Sequence, residues 1–441
     1  MPADTVSAAP PAQGLKPCGE SPYYLQAVAA LAQQQTLVAQ QDIYSSSGMK
    51  LVGKGAELDQ QHFERLAQHK LSVPLDSVLS SSRAIDAAEL ALEADRILEH
   101  EATYARMAAR TGDPLALKHG LAALRLPTPL LLRLTVMREQ RPGIFGHALR
   151  TGMIAYAIAQ RLGRSSAERE LVLMAALFHD VGEMHTDPAL LASAHDITPE
   201  ERRFIHVHPL TSHVLLHAIA DFPAAAATAV LQHHERLDGS GYPHGLLSEK
   251  ICPLAKIVGV ADVAETVLRR CGLPRLDMLT RLNQARFDHA TVDALRDLIH
   301  GTQQDTQAAA PEQNAAQQLS HLAALLHAWL TLRSVFEQNT PGNNSPLLFL
   351  FERMNSIRQL VLQAGFDPDH VSSMLEVARD DPGVLLELRT MLDEMEWLQL
   401  DLANEIDRRS PLLGGPSQGA LSGLMLHLRP PPVPESRAAE H

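Results

Sequence analysis

Cysteine is scarce: Cys18, Cys252 and Cys271 are the only three in 441 residues, and no CxxC spacing occurs. Neither a disulfide framework nor a thiolate metal cage can be built from them, and a reducing compartment is expected. Aromatic residues are few, 4% of the chain, so the cores must be built mostly from aliphatic side chains. No run approaches the ~18 uninterrupted apolar residues of a membrane-spanning helix. The first stretch, MPADTVSAAPPAQGLKPCGE, lacks the apolar segment of a signal peptide. No membrane span and a cytoplasmic location are therefore expected. Positive charge is also in deficit, with 38 Lys and Arg against 51 Asp and Glu, a net charge of −13. That balance argues against a nucleic acid polymer as partner, so any polyanionic substrate must be drawn in by local charge such as a metal.

The apolar share of 45% is dominated by alanine and leucine, which favours helices. The length suggests two or three domains. Residues 1–20, rich in proline and small side chains, are expected to be disordered. Residues 21–136 read as an N-terminal regulatory region. It opens with a helix from Tyr23 to Gln35. Then Leu37–Val38, Ile43–Tyr44 and Met49–Leu51–Val52, separated by SSSG and GKG, read as a short β-hairpin. Asp59 begins a capped helix, the small module ends near Pro74–Leu75, and helices follow to 136 with a break at Pro127–Thr128–Pro129. Residues 306–319 form a Gln/Ala-rich linker and 320–408 a further helical region. Residues 409–441, ending LRPPPVPESRAAEH, read as a disordered tail. The apolar face from Leu347 to Val361 in the C-terminal region reads as core packing, with a homodimer contact as its other use.

Histidine is what the chain has in excess. Of 22, eleven lie between His147 and His244. In ERELVLMAALFHD, Leu171, Met174, Ala175 and Phe178 recur at helical spacing, and the helix ends at His179–Asp180. Thr198–Pro199–Glu200–Glu201 opens a helix leading to His208, an alanine-rich helix leads to His233–His234, and another carries Asp262. Any one of these histidines is by itself an ordinary surface or core residue. The ordered set of His147, His179, Asp180, His208, His233, His234 and Asp262 offers five imidazoles and two carboxylates. That donor set suits two divalent ions, with Fe or Mn expected before Zn. A second signal is HHERLDGSGYP, from His233 to Pro243, where Gly239 and Gly241 permit positive φ and Pro243 sets the exit.

HHERLDGSGYP together with HDVG at 179–182 resembles the HD-GYP subset of HD-domain metal phosphohydrolases. The likeness runs over roughly 137–305, through TPEERRFIHVHP, AKIVGVAD and ARFDHATVDAL. It implies a mainly α fold: an HD-type helical bundle, here with a small N-terminal α/β module and a further C-terminal helical region. It implies that the seven residues above bind two divalent metals, with Asp180 as the bridge. The implied activity is hydrolysis of cyclic di-GMP by a metal-bridging hydroxide, with Asp180, His179 and Glu183 in the catalytic set. Gly239, Ser240, Gly241, Tyr242, Arg270 and Arg275 are the expected substrate contacts. The resemblance also implies a cyclic dinucleotide substrate, and a diguanylate cyclase or other signalling protein as a partner.

Three departures bear on chemistry. Gly143 stands where some members carry a third-metal glutamate, so two metals and pGpG as product are expected. Glu183 stands where the family has a phosphate-facing lysine. The family's Arg-Pro-Tyr-Arg segment is replaced by VLRRCGLPRL, and Glu265 takes the place of an Asp. These changes leave two alternatives open: a weakened protein that binds cyclic di-GMP or another protein, and a phosphohydrolase for a different nucleotide.

Overall fold

The computed structural model describes residues 21–191, 197–300, 313–339, 347–363, 381–410 and 418–429. The expected disordered segment 1–20, and His195, lie outside them. As the composition predicts, the fold is mainly helical, with short strands confined to the N-terminal module. The chain divides into two compact units. The first comprises 1–265 with 293–298, and the second comprises 266–292 with 299–441.

In the first unit, α1 (Pro22–Ala32) precedes β1 (Leu37–Ala39), β2 (Ile43–Tyr44) and β3 (Lys50–Val52). The expected hairpin exists between β2 and β3, with Ile43 opposite Val52. β1 is not part of it. It pairs antiparallel with β4 (Leu79–Ser81), Leu37 opposite Ser81 and Ala39 opposite Leu79. The module therefore runs past Leu75, because Leu37, Ala39 and Leu79 bury their side chains in one core. α2 (Gln60–Ala67) starts at Asp59, whose side chain accepts from the His62 amide. Helices α3 (Ala87–His100), α4 (Ala102–Arg110), α5 (Ala116–Ala122) and α6 (Thr128–Gln140) follow, and the break before α6 falls at Pro127, as the proline pair requires.

The helices that carry the histidines come next. They are α7 (Pro142–Arg161), α8 (Ser166–Phe178), α9 (Pro188–Leu191), α10 (Pro199–His206), α11 (His208–His217), α12 (Ala224–Gln232) and α13 (Pro253–Cys271). α7 packs along α8, and α12 lies against both α8 and α11. Every residue of α8 from Val172 to Phe178 is buried. Its C-terminal half is covered on all sides, which the one-faced periodicity of its sequence did not convey.

The second unit contains α14 (Leu273–Leu282), α16 (Gln313–Asn339), α17 (Leu348–Gln363), α18 (Pro382–Arg409) and α19 (Gln418–Leu428), with α15 (His289–Ile299) shared across the division. Its core gathers Trp329, Leu350, Met354, Leu392 and Leu424. The face from Leu347 to Val361 is thus used as core, with Leu347, Leu350, Met354, Ile357 and Val361 buried. Two expectations are corrected here. α16 begins at Gln313, inside the expected linker. The expected tail contains α19, where Leu421, Leu424 and Leu428 recur at helical spacing and are buried in the same core.

Both tryptophans of the chain, Trp329 and Trp397, lie in this second unit, so indole fluorescence reports its unfolding selectively. Leu424→Ala, which opens a cavity in that core, is expected to cost about 2–5 kcal/mol. Fluorescence-monitored urea unfolding checks this, and the midpoint is expected to fall without a change in slope.

Candidate metal centre

Five helices deliver the site, and mostly by their ends. α8 starts with a reciprocal cap, Ser165 accepting from the Glu168 amide while Glu168 reaches back, and it stops with His179 at its C-cap. Asp180 leaves helical geometry and opens a short 3₁₀ turn, Val181–His185. Pro209 helps restart the chain as α11, with His208 its first residue. α12 stops with His233 at its C-cap. His147 sits within α7 and Asp262 within α13. The C-terminal ends of α8 and α12 carry partial negative charge, which favours a cation beside them.

The seven residues form two groups, Asp180 with His208, His233 and His234, and His147 with His179 and Asp262. Within each group the candidate donor atoms lie within 4.8 Å of one another. Asp180 faces both. Its Oδ2 lies 3.2 Å from His179 Nε2 and 3.5 Å from His147 Nε2. Its Oδ1 lies 3.1 Å from His208 Nε2 and 3.6 Å from His233 Nε2. Asp262 Oδ1 lies 3.2 Å from His147 Nε2, and its Oδ2 lies 3.7 Å from His234 Nδ1.

The donor chemistry fits divalent cations. His179, His208 and His233 each donate Nδ1–H to a backbone carbonyl three residues earlier, those of Ala176 (2.7 Å), Ile205 (2.8 Å) and Val230 (2.6 Å). That fixes the tautomer and leaves Nε2 as a lone pair aimed inward. The Nε2 atoms then face one another in pairs, His147 with His179 at 3.2 Å and His208 with His233 at 3.3 Å, with carboxylate oxygens beside them. Acceptors facing acceptors in a buried site need a cation between them. Asp180 Oδ1 has no hydrogen-bond donor among the described residues.

The electrostatics agree. Burial opposes charge on Asp180, but His179 and His208 outweigh it and hold the carboxyl well below its usual range. For Asp262, burial is likewise outweighed, by His147 and His179. Burial also opposes a proton on His147, yet Asp262 and Glu265 push it up to about 9. Burial, and then the neighbouring His233, push His234 well below its ordinary value. Glu183 is pushed up to about 7, first by burial and then by the charge of Asp180.

Several residues that shape the site carried no plain signal in the sequence. Glu265, one helical turn beyond Asp262, is fully buried and sits 2.5 Å from His147 Nδ1, so it orients that ring. The resemblance marked it only as standing in place of an Asp, with no role attached. Glu235 clamps the glycine-containing loop, accepting from the amides of His244 and Leu246, both at 2.8 Å. That accounts for the glutamate after the histidine pair. Gly182 is required by close approach. A Cβ there would lie 2.5 Å from the His208 carbonyl oxygen, where its amide now donates to Ser212 Oγ at 2.8 Å. Gly259 plays the same part against the His233 carbonyl oxygen, 2.4 Å from its ideal Cβ.

The expected substrate contacts fall differently. Gly239 has φ +76°, and a Cβ on Gly241 would lie 2.4 Å from the Arg236 amide nitrogen. Ser240 is buried, donating to Asp238 Oδ1 at 2.6 Å. Tyr242 stacks on His234 (ring centroids 4.6 Å apart) on the side of the centre, and on His206 at 4.2 Å. Arg270 is exposed in the last turn of α13. Arg275 is buried, with Nη2 3.0 Å from Glu394 Oε2 and Nη1 donating to the Thr390 carbonyl, so it is committed within the second unit rather than to a phosphate.

Residues 134–289 match the family model of the HD domain. This stretch is an HD domain. All seven candidate ligands and the HHERLDGSGYP loop lie inside it. The chain is similar to the cyclic di-GMP phosphodiesterase response regulator RpfG of Xanthomonas campestris. The two are 38% identical over 120 residues, 27% of this chain and 32% of that protein. It is also similar to the 3′3′-cGAMP-specific phosphodiesterase 3 of Vibrio cholerae, 30% identical over 132 residues, 30% of this chain and 28% of that protein. Among solved structures, Bd1817, a HDG"Y"P protein from Bdellovibrio bacteriovorus, aligns at 16% identity over 60% of this chain and 94% of its own, with a TM-score of 0.35. The chain spans about a third of the length of the curated relatives it matches. No helix among the described residues of the chain is long and apolar enough to cross a membrane.

Two outcomes follow from this geometry. Gly182→Ala forces the turn after Asp180 away from His208, so bound metal measured by plasma mass spectrometry is expected to fall severalfold in protein that remains helical by circular dichroism. His147 and His208 both hold protons more tightly than usual, so metal binding must displace protons. Manganese affinity, measured by calorimetry in buffers of different ionisation enthalpy, is expected to rise from pH 6 to pH 8 with net proton release.

Proposed function

We propose that the HD domain hydrolyses a phosphodiester bond of a cyclic dinucleotide, with cyclic di-GMP the first candidate and pGpG its product. The observation that carries this reading is Asp180, which offers one oxygen to each of two buried ligand groups. His147, His179 and Asp262 on one side, and His208, His233 and His234 on the other, would hold two divalent cations, Fe or Mn by donor type. Cations bound there supply Lewis acidity towards phosphate oxygens and make water a better nucleophile at neutral pH. The protein's own part is to place them. Backbone carbonyls fix three imidazoles, Glu265 orients His147, and Asp180 sets the separation of the two groups.

The class of substrate is supported by the relatives, one named for cyclic di-GMP and another for 3′3′-cGAMP. The convergence of all seven expected ligands in two neighbouring groups favours turnover over binding alone. Glu183, pushed up to about 7, stands where the resemblance expects a lysine, so the site lacks that cation and carries a carboxyl that is only partly ionised at neutral pH. A lost charge-assisted hydrogen bond is worth roughly 1.5–3 kcal/mol.

Manganese- or iron-loaded protein, prepared anaerobically, is expected to convert cyclic di-GMP to pGpG, and chromatography of the products decides it. A panel with 3′3′-cGAMP and cyclic di-AMP ranks substrates by kcat/KM. Asp180→Asn is expected to lower kcat by about 10³-fold or more, in line with loss of a charge-stabilising group. Glu183→Lys is expected to raise kcat/KM by about tenfold. No hydrolysis of any cyclic dinucleotide by fully loaded protein sinks the proposal.

A further inference from the structure

The Val181–His185 turn, which follows Asp180 and contains Glu183, is gripped from two sides. On one side the Gly182 amide is held by Ser212 of α11, within the HD domain. On the other side stands a buried polar group from the N-terminal module. The Asp76 carboxylate pairs with the Arg133 guanidinium and also accepts from the Tyr24 hydroxyl. The side chains of Asp76 and Arg133 are 1% and 2% exposed, and Tyr24 is fully buried. The Arg133 guanidinium lies over the Tyr24 ring, 5.2 Å from its centroid. Tyr24 in turn stacks on the His185 imidazole, with centroids 4.9 Å apart and planes 17° from parallel. Arg133 Nη1 lies 3.5 Å from His185 Nε2. Beside this group, Tyr23 donates to Asp187 Oδ2 at 3.2 Å.

Tyr24 is on α1, Asp76 is in the short 3₁₀ segment Leu75–Ser77, and Arg133 is on α6. All three precede residue 134, where the match to the HD domain begins. A buried ion pair costs several kcal/mol in desolvation, so it contributes little net stability. Removing one partner is strongly destabilising. Such a pair is a poor choice for mere cohesion and a good one for fixing a unique geometry. Here the element it fixes is the turn that carries the carboxylate shared by both ligand groups.

We propose that the N-terminal module is a built-in support of the metal centre, in which Tyr24, Asp76 and Arg133 are positioning residues that hold the Asp180 turn through His185. The inference rests on the metal-centre reading above and adds a direction of control. Any ligand or partner that shifts α1 changes how tightly the centre holds its cations. The support acts on geometry, so its loss shows first at the backbone of the turn and in metal affinity, before any effect on the chemical step.

The test uses the full chain. His185→Ala removes the stacking surface, and Tyr24→Phe keeps the ring while removing the hydroxyl that reaches Asp76. Leu51→Ala, a buried change in the same module away from this polar group, serves as the control for destabilisation alone. Two readouts are taken: hydrogen–deuterium exchange of a peptide covering 180–187, and manganese affinity by titration. Expected are faster exchange in that peptide and manganese affinity weaker by about tenfold for His185→Ala, with a smaller change in the same direction for Tyr24→Phe. Leu51→Ala is expected to lower the melting temperature and leave both readouts near wild type. Unchanged exchange and affinity in the folded variants, or equal changes in Leu51→Ala, overturn the support. If His185→Ala does not fold, Tyr24→Phe decides by the same readouts. Wild-type protein that takes up no manganese counts against the metal-centre reading, and the exchange comparison still tells whether the module holds the turn.

Discussion

A carboxylate buried among imidazoles is the constraint on which this protein's first unit depends. Asp180 is almost fully buried, and its two oxygens look towards different pairs of histidines. Nothing in an apolar interior tolerates that arrangement unless positive charge compensates it. The architecture can be read as the means of meeting this demand. The C-terminal half of α8, Val172 to Phe178, is buried so that its end reaches the middle of the unit. α11 and α12 bring their own ends to the same point, and α13 passes close enough to add Asp262. Gly182 and Gly259 make these approaches possible, since any side chain there would collide with a carbonyl oxygen of a ligand-bearing residue.

The same economy of charge appears elsewhere. Asp76 with Arg133 in the first unit, and Glu394 with Arg275 and Glu405 with Arg353 in the second, are ion pairs largely withdrawn from water. Each fixes one helix against another segment with directional bonds that an aliphatic contact would not supply. In the second unit these pairs lie around a leucine- and methionine-rich core with two tryptophans. No histidine, aspartate and glutamate group able to hold a metal occurs there among the described residues. Chemistry and bulk are thus separated along the chain.

What was legible in the sequence and what was not divides along physical lines. Helix periodicity and caps are local properties, and Thr198 and Pro127 mark the starts of helices where the chain alone predicts them. The seven candidate ligands were legible because five imidazoles and two carboxylates stand in an ordered set that chance alone does not readily produce, and that set matches the HD-GYP resemblance. The strand at Leu37–Val38 was legible but its partner was not, because β4 lies some 40 residues further on and pairing at that distance leaves no local mark. α19 escaped because a helix of eleven residues next to a proline-rich end is held by burying Leu421, Leu424 and Leu428 in a core built mostly by distant segments. Arg275 was expected to stand in for the family's basic segment, whereas Glu394, more than 100 residues on, pairs with it.

By itself the sequence determined the helical class, the types of donor atom and their order along the chain, because these follow from composition, periodicity and residue chemistry. Only the tertiary structure decided that Asp180 points an oxygen each way, that Glu265 turns His147, that Glu235 ties down the loop, and that Tyr24 lies against His185. Those are relations between segments far apart in the chain. They arise from the packing of buried surfaces, and packing is a property of the folded whole rather than of any stretch of residues.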